Sequence, residues 1–156
     1  MKIHLIAIGT RMPDWIAQGF EEYARRLPRH LELNLVEVPA ITRHKTGDVE
    51  RARSEEGRKL LGRVPENCRV LALTGAGTTV STRRLAASVE DWMDGGRDVV
   101  MMIGGADGLS TECIDRADES WSLSALTFPH QLVRVILAEQ LFRAWSIISN
   151  HPYHRD

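Results

Sequence analysis

The sequence predicts an α/β domain, a mostly parallel sheet with helices on both faces, and three observations carry that prediction. Five short apolar runs, "IHLIAIG", "LELNLVEV", "RVLALTG", "DVVMMIGG" and "WSLSALTF", recur along the chain at strand length, several of them closed by Gly or Pro. Stretches with helical spacing separate them, which is the alternation of a layered α/β fold. The third and fourth runs are continuously apolar, as strands covered on both faces are. A chain of 156 residues suffices for one sizeable core and falls short of two, so residues 1–156 form a single domain.

Each element has its own signal. After the first run, Pro13 can open a helix whose apolar positions Ile16, Phe20, Tyr23 and Leu27 keep one face inward, and Pro28 closes it. Residues 46–63, beyond the second run, read as a charged surface helix. The third run leads to a helix bearing Leu85, Val89 and Trp92, with Ser81 or Thr82 as its cap and "DGG" as its stop. A short turn and helix over 110–118 follows the fourth run, and a long helix from about 131 to 149 follows the fifth. On that last helix Val133, Leu137, Leu141, Trp145 and Ile148 form one stripe, while Leu132, Val135, Ile136, Phe142 and Ile147 occupy the rest. One sheet cannot cover both, which points to a second copy in a twofold dimer. Glu139 and Arg143 stand at i,i+4 for pairing. Arg134 interrupts the main stripe and reads either as a snorkelling arginine or as a ligand for phosphate or carboxylate.

Composition narrows the function classes. Hydrophobic residues at 43% and charged residues at 26% exclude disordered and fibrous chains. No run approaches the roughly 20 apolar residues of a membrane span, and the N-terminus lacks an export signal, so a cytoplasmic protein without a membrane is expected. Cys68 and Cys113 are far apart and read as reduced and structural, with a nucleophilic Cys113 as the alternative. The net charge of −1 hides an asymmetry: residues 1–63 hold 12 Lys and Arg against 9 Asp and Glu. Local patches such as Arg25, Arg26, Arg29 and Arg43, His44, Lys45 would have to hold any RNA, and solvated faces are the plainer reading.

Ligands of open parallel sheets bind beyond the carboxyl ends of the strands, and three such ends stand out, "LALTGAG", "MIGGADG" and "SLSALTFPH". The dinucleotide fingerprint fails, because Val80 stands where its third glycine belongs, and the P-loop and G-x-S-x-G patterns are absent. His151 with His154 makes a poor metal site, so no metal is expected. What is left is a nest of glycines and amides facing a small and apolar strand end, suited to adenine with a thioether or sulfonium. An ordinary buried strand and turn is the alternative.

The stretches "IGGADGLS", "WSLSALTFPHQLVRVILAEQLFRAWSIISNHPYHR" and "AIGTRMPDWIAQGFEEYARRLP" closely resemble the ribosomal RNA large subunit methyltransferase H family, within the SPOUT class of trefoil-knotted methyltransferases. The resemblance spans almost the whole chain. It implies a C-terminal trefoil knot, a homodimer, and S-adenosylmethionine-dependent methylation of N3 of a pseudouridine in 23S ribosomal RNA within the ribosome. It also implies a cofactor pocket at Leu73, Gly104, Leu123, Ser124, Ala125, Leu126, Thr127 and Phe128, with Gly105 adjoining. The acid and lysine common in the family after the third strand are replaced here by Thr74 and Thr78.

The ending "NHPYHRD" is unusually rich in polar and titratable groups for a terminus. In a knotted dimer one subunit's tail could complete the other's pocket, with His154 accepting the imide proton, Tyr153 stacking on the base, and Arg155 with Arg134 contacting phosphate or base. His130 is a second candidate base. The rival readings are a non-catalytic ribosome-associated binding factor and a small-molecule enzyme using adenosine nucleotides.

Overall fold

Strand and helix alternate strictly along the chain, as the apolar patterning predicts. The computed structural model describes residues 1–43 and 48–155, so His44 and Lys45 lie outside the described residues. The elements run β1 (Lys2–Ile8), α1 (Asp14–Ala24), β2 (Glu32–Val38), α2 (Val49–Leu61), β3 (Arg69–Thr79), α3 (Thr82–Gly95), β4 (Val99–Ile103), α4 (Thr111–Arg116), β5 (Glu119–Ser122) and α5 (His130–Ile148). All strand pairs are parallel, in the order β2-β1-β4-β3-β5.

The pleat explains why the central runs read as continuously apolar. Ile3, Leu5, Ala7, Met101 and Ile103 face a core shared with α1, α3 and α5, while Ile6, Ile8, Val100 and Met102 face a second core shared with α2 and α4. Successive side chains of one strand thus enter different cores, and both must be apolar.

Local chemistry sets the helix ends. Ser81 is the cap of α3, its hydroxyl accepting from the Arg84 amide at 3.1 Å, and Gly96 stops that helix in the left-handed conformation at φ 69°. Ser110 caps α4 in the same way through the Cys113 amide.

Two expectations need correction. The fifth apolar run is strand only at its start, because β5 ends at Ser122 and residues 123–128 leave the sheet as a loop. Arg134 does not snorkel; it is 0% exposed. Its guanidinium donates to Glu37 Oε2 at 2.7 Å and to the carbonyls of Ile8 and Gly9 at 3.1 and 2.8 Å, closing the carboxyl ends of β1 and β2.

Candidate cofactor cleft and C-terminal cluster

The strands finish together at one edge: Ala7 pairs with Ile103, and Leu73 pairs with Ile103 on one side and Trp121 on the other. Just past this edge, the segments following β3, β4 and β5 enclose a cleft of about 700 Å³ with the first turn of α5. That is within the usual range for a small-molecule site, at the place where parallel sheets bind ligands.

All nine residues expected to hold a cofactor line this cleft. Leu73 comes from β3, Gly104 and Gly105 from the turn after β4, and Leu123, Ser124, Ala125, Leu126, Thr127 and Phe128 from the loop after β5. His130 lines it as well, from α5. The apolar character of 123–128 therefore belongs to a wall of the cleft, with Leu126 73% exposed at its lip. The loop is held by its own serines: Ser122 Oγ donates to the Ser124 carbonyl, and Ser124 Oγ accepts from the Leu126 amide, both at 3.0 Å.

Glycine is required on the β4 side. A Cβ on Gly104 would lie 2.4 Å from the Gly108 carbonyl carbon and 2.7 Å from the Leu109 nitrogen, so the chain doubles back against it. The doubling is a tight turn in which the Gly108 amide donates to the Gly105 carbonyl at 3.1 Å, with Gly108 at φ 79°. Gly77 has a different purpose from the one its motif suggests. The pairing of β3 with β5 slips between Leu73 and Thr78, and a Cβ on Gly77 would stand 2.6 Å from the Ser120 and Trp121 backbone. It serves strand packing. Of the two departures from the family pattern, Thr74 lines the cleft, whereas Thr78 faces a separate hollow beside Arg84 and Glu119.

No Asp, Glu, Lys or Arg side chain lines the cleft among the described residues. Burial, reinforced by the nearby Arg134 charge, lowers the pKa of His130, while Glu56 opposes the shift. An imidazole held neutral can accept a proton. The wall offers apolar surface, hydroxyls and main-chain groups, which suit a flat heterocycle and a thioether better than a phosphate.

The C-terminal residues assemble elsewhere. Tyr153 donates its hydroxyl to Glu139 Oε1 at 2.9 Å, and Arg143 pairs with the same oxygen at 2.5 Å, as the i,i+4 spacing predicts. Arg143 also stacks over the Tyr153 ring at 4.9 Å and approaches His154 Nδ1 at 3.4 Å. Beneath them Phe142 packs against Tyr153, with ring centroids 4.6 Å apart, and against Trp145 and His151. Burial first, and then the bond to Glu139, push the Tyr153 phenol up to about 12. Arg155 remains exposed. Arg26, from just past α1, stacks 5.7 Å over Phe142, which brings part of the expected basic patch to the same cluster.

This cluster sits farther along α5 than the cleft. Its nearest anchor, Glu139, is six residues and about 9 Å along α5 from Val133, the last cleft-lining residue of that helix, and Arg143 is about 15 Å away. Sequence reasoning missed Phe142 as the seat of the tail, because its apolar position looks like any other on that helix. It also missed the buried Glu56 behind Gly105, whose partners are distant in the chain.

Among the described residues no His, Cys, Asp and Glu cluster could hold a metal ion, and no helix is long and apolar enough to cross a membrane. A family model described as "Predicted SPOUT methyltransferase" matches residues 1–154. Relatives named "Ribosomal RNA large subunit methyltransferase H" from Thioalkalivibrio sulfidiphilus and Saccharophagus degradans are each 51% identical to the chain. The first aligns over 156 residues, all of both chains, and the second over 99% of this chain and 100% of the relative. Among solved structures, methylase family proteins from Haemophilus influenzae and Neisseria gonorrhoeae superpose with TM-scores of 0.60 and 0.54, each at 14% identity. They cover 99% and 97% of this chain, and 70% and 95% of their own chains, so they share its fold. With a family match running nearly from end to end and full-length relatives at half identity, the chain belongs to the SPOUT methyltransferase family.

Proposed function

We propose that the protein methylates N3 of a pseudouridine in 23S ribosomal RNA, on the assembled ribosome and in the cytoplasm, with S-adenosylmethionine bound in the cleft after β3, β4 and β5. The observation that carries this reading is the convergence of nine expected cofactor residues on one cleft with no Asp, Glu, Lys or Arg side chain in its lining among the described residues. The names of the full-length relatives support ribosomal RNA as the substrate.

The residues present fit the cofactor. The Gly104 to Leu109 turn brings main-chain groups close to the cleft where any side chain would collide, and Leu73, Leu123, Leu126 and Phe128 supply apolar walls. When bound, S-adenosylmethionine supplies an electrophilic methyl group on a sulfonium. The protein must then place N3 in line and receive its proton. His154 is assigned to receive the proton, with His130 as the second candidate from within the cleft. Tyr153, kept as a neutral phenol, is assigned to stacking on the base, for which Arg143 must give up its place over the ring, and exposed Arg155 is available to phosphate. Arg134 is left out of this assignment because its guanidinium is enclosed against β1 and Glu37.

The separation of cluster and cleft along α5 supports a composite site, in which the tail of one subunit of a homodimer meets the cleft of the other. The trefoil threading belongs to the same proposal; the packing of the segments after β3, β4 and β5 around one cleft is consistent with it. Mixed dimers test the arrangement. A His154→Ala subunit combined with a Gly105→Trp subunit should regain activity that each variant alone lacks. If both variants and the mixed dimers are inactive on ribosomes, the trans arrangement is wrong. Calorimetric titration of the wild-type protein with S-adenosylmethionine tests the cleft itself, and the absence of binding would favour the non-catalytic ribosome-associated factor.

A further inference from the structure

We propose that Arg43 is a positioning residue for the cofactor: clamped between Glu56 of α2 and Asp107, it holds the Gly105–Gly108 turn that shapes one wall of the cleft. The inference rests on the cofactor reading above and extends it to residues outside the cleft.

A turn with glycines at 104, 105 and 108 is entropically soft and needs an external tie to keep one conformation. The tie comes from the opposite layer. Glu56 is 2% exposed. Its Oε1 receives Arg43 Nη1 at 3.0 Å and the Ile41 amide at 3.2 Å. Arg43 Nη1 also donates to the Ile41 carbonyl at 2.8 Å, and Arg43 Nε makes an ion pair with Asp107 Oδ2. Arg53, also on α2, reaches the Asp107 carbonyl at 3.4 Å. Residues 41–43 and α2 are thereby joined to the turn after β4, some fifty residues away, through the guanidinium of Arg43 with that of Arg53 beside it.

The contact lies directly behind the cleft. A Cβ on Gly105 would stand 3.4 Å from Glu56 Oε2, and that oxygen has no hydrogen-bond partner among the described residues. Arg43 Nε and Nη2 and Asp107 Oδ2 likewise make no hydrogen bond among the described residues, so the guanidinium holds Asp107 by charge and proximity, spread between two carboxylates in a way that a lysine ammonium reproduces only in part. Loss of the tie frees the turn, and the wall that Gly105, Ala106 and Gly108 give the cleft loses its shape. Arg43 therefore acts through the turn and touches neither cofactor nor RNA. The charged run at Arg43 that suggested an RNA patch is, at this residue, internal scaffolding.

Calorimetric titration of the full-length protein with S-adenosylmethionine tests the clamp in Arg43→Gln, Asp107→Asn, the double variant and Arg43→Lys. The expected Kd is roughly tenfold to a hundredfold weaker in each of the first two. The double variant should be no worse than the singles, because both break one device, and Arg43→Lys should recover part of the loss. In turnover assays the KM for S-adenosylmethionine should rise while the KM for ribosomes holds. Asp107→Asn alters a partly exposed turn residue, so it decides the matter if Arg43→Gln does not fold. Unchanged Kd in Asp107→Asn, or losses that multiply in the double variant, would overturn the clamp. If the wild-type protein binds no S-adenosylmethionine, the cofactor reading itself fails and the clamp with it.

Discussion

Replacing Arg134 by methionine should destabilise the fold by about 3 kcal/mol while leaving cofactor affinity near that of the wild type. The magnitude follows from its surroundings. The guanidinium is enclosed and makes three charged hydrogen bonds, at 2.7, 2.8 and 3.1 Å, to Glu37, Gly9 and Ile8. Removing one partner of a buried pair typically costs about 3–5 kcal/mol, because the group left behind remains desolvated. Here the Glu37 side chain is 34% exposed and can recover water, so the lower end applies. Methionine fills most of the aliphatic stem, which keeps a cavity from dominating. For a chain of this size about 3 kcal/mol corresponds to a fall in Tm of roughly 6–12 °C.

Urea unfolding at one fixed protein concentration reads the loss as a lower midpoint at unchanged slope. Glu37→Gln, which keeps an acceptor for the guanidinium, should lose less. A native midpoint in Arg134→Met together with weakened ribosome binding would refute the reasoning, and would mean that the guanidinium turns outward to substrate.

Three further outcomes are expected. Gly104→Ala should lose measurable cofactor binding by calorimetry and cost about 1–3 kcal/mol in denaturant midpoint, since its Cβ meets the Gly108 backbone at 2.4 Å. Ultraviolet titration should show a late phenol step, with Tyr153 ionising near 12 and that step missing from Tyr153→Phe. Because the folded-state pKa is raised, the stabilisation from that neutral phenol is whole below about pH 10 and is lost as pH rises toward 12. Cys68 and Cys113 are 2% and 0% exposed with thiol pKa values raised by burial, so alkylation near pH 8 should await unfolding, and rapid labelling of Cys113 in the native protein would revive it as a nucleophile.

What the chain discloses before folding depends on the range of the interaction involved. Strand and helix order, the Ser81 cap and the Gly96 stop are local, and they lie where the pattern predicts. The run 121–128 misleads because apolar content has two causes that patterning cannot separate: Trp121 is buried in the core, whereas Leu126 stands exposed at the lip of a cleft. The second glycine of "GAG" misleads for a related reason, since glycine admits a neighbouring strand as readily as a ligand. Arg134 and Arg43 are the hardest cases. Each finds its carboxylate in another element, 97 residues away for Glu37 and Arg134, and nothing in the flanking sequence marks the pairing. The tail is intermediate: its composition announces importance, while its seat on Phe142 emerges only when α5 ends and the chain folds back.

The twofold dimer then has to be argued afresh. A helix apolar on all sides suggested a partner copy, but α5 lies between α1 and α3 within one layer, over the sheet. Gly19 allows α1 to come close enough that a Cβ there would meet Val135 at 3.2 Å, so Val135, assigned by pattern to an uncovered face, packs against α1 of the same chain while staying half-buried. Three flanking surfaces account for much of an apolar circumference, although Leu132, Val133, Val135, Ile136, Trp145, Ile147 and Ile148 stay only half-buried. The stronger argument for a second copy is positional. His130 lines the cleft at the start of α5, while Glu139, Arg143 and the tail they hold lie farther along a rigid helix. That spacing along α5 supports the reading in which the tail serves the cleft of another chain. Dilution of the purified protein should therefore lower specific activity in step with dissociation measured by sedimentation, and a fully active monomer would show that the tail has no catalytic part.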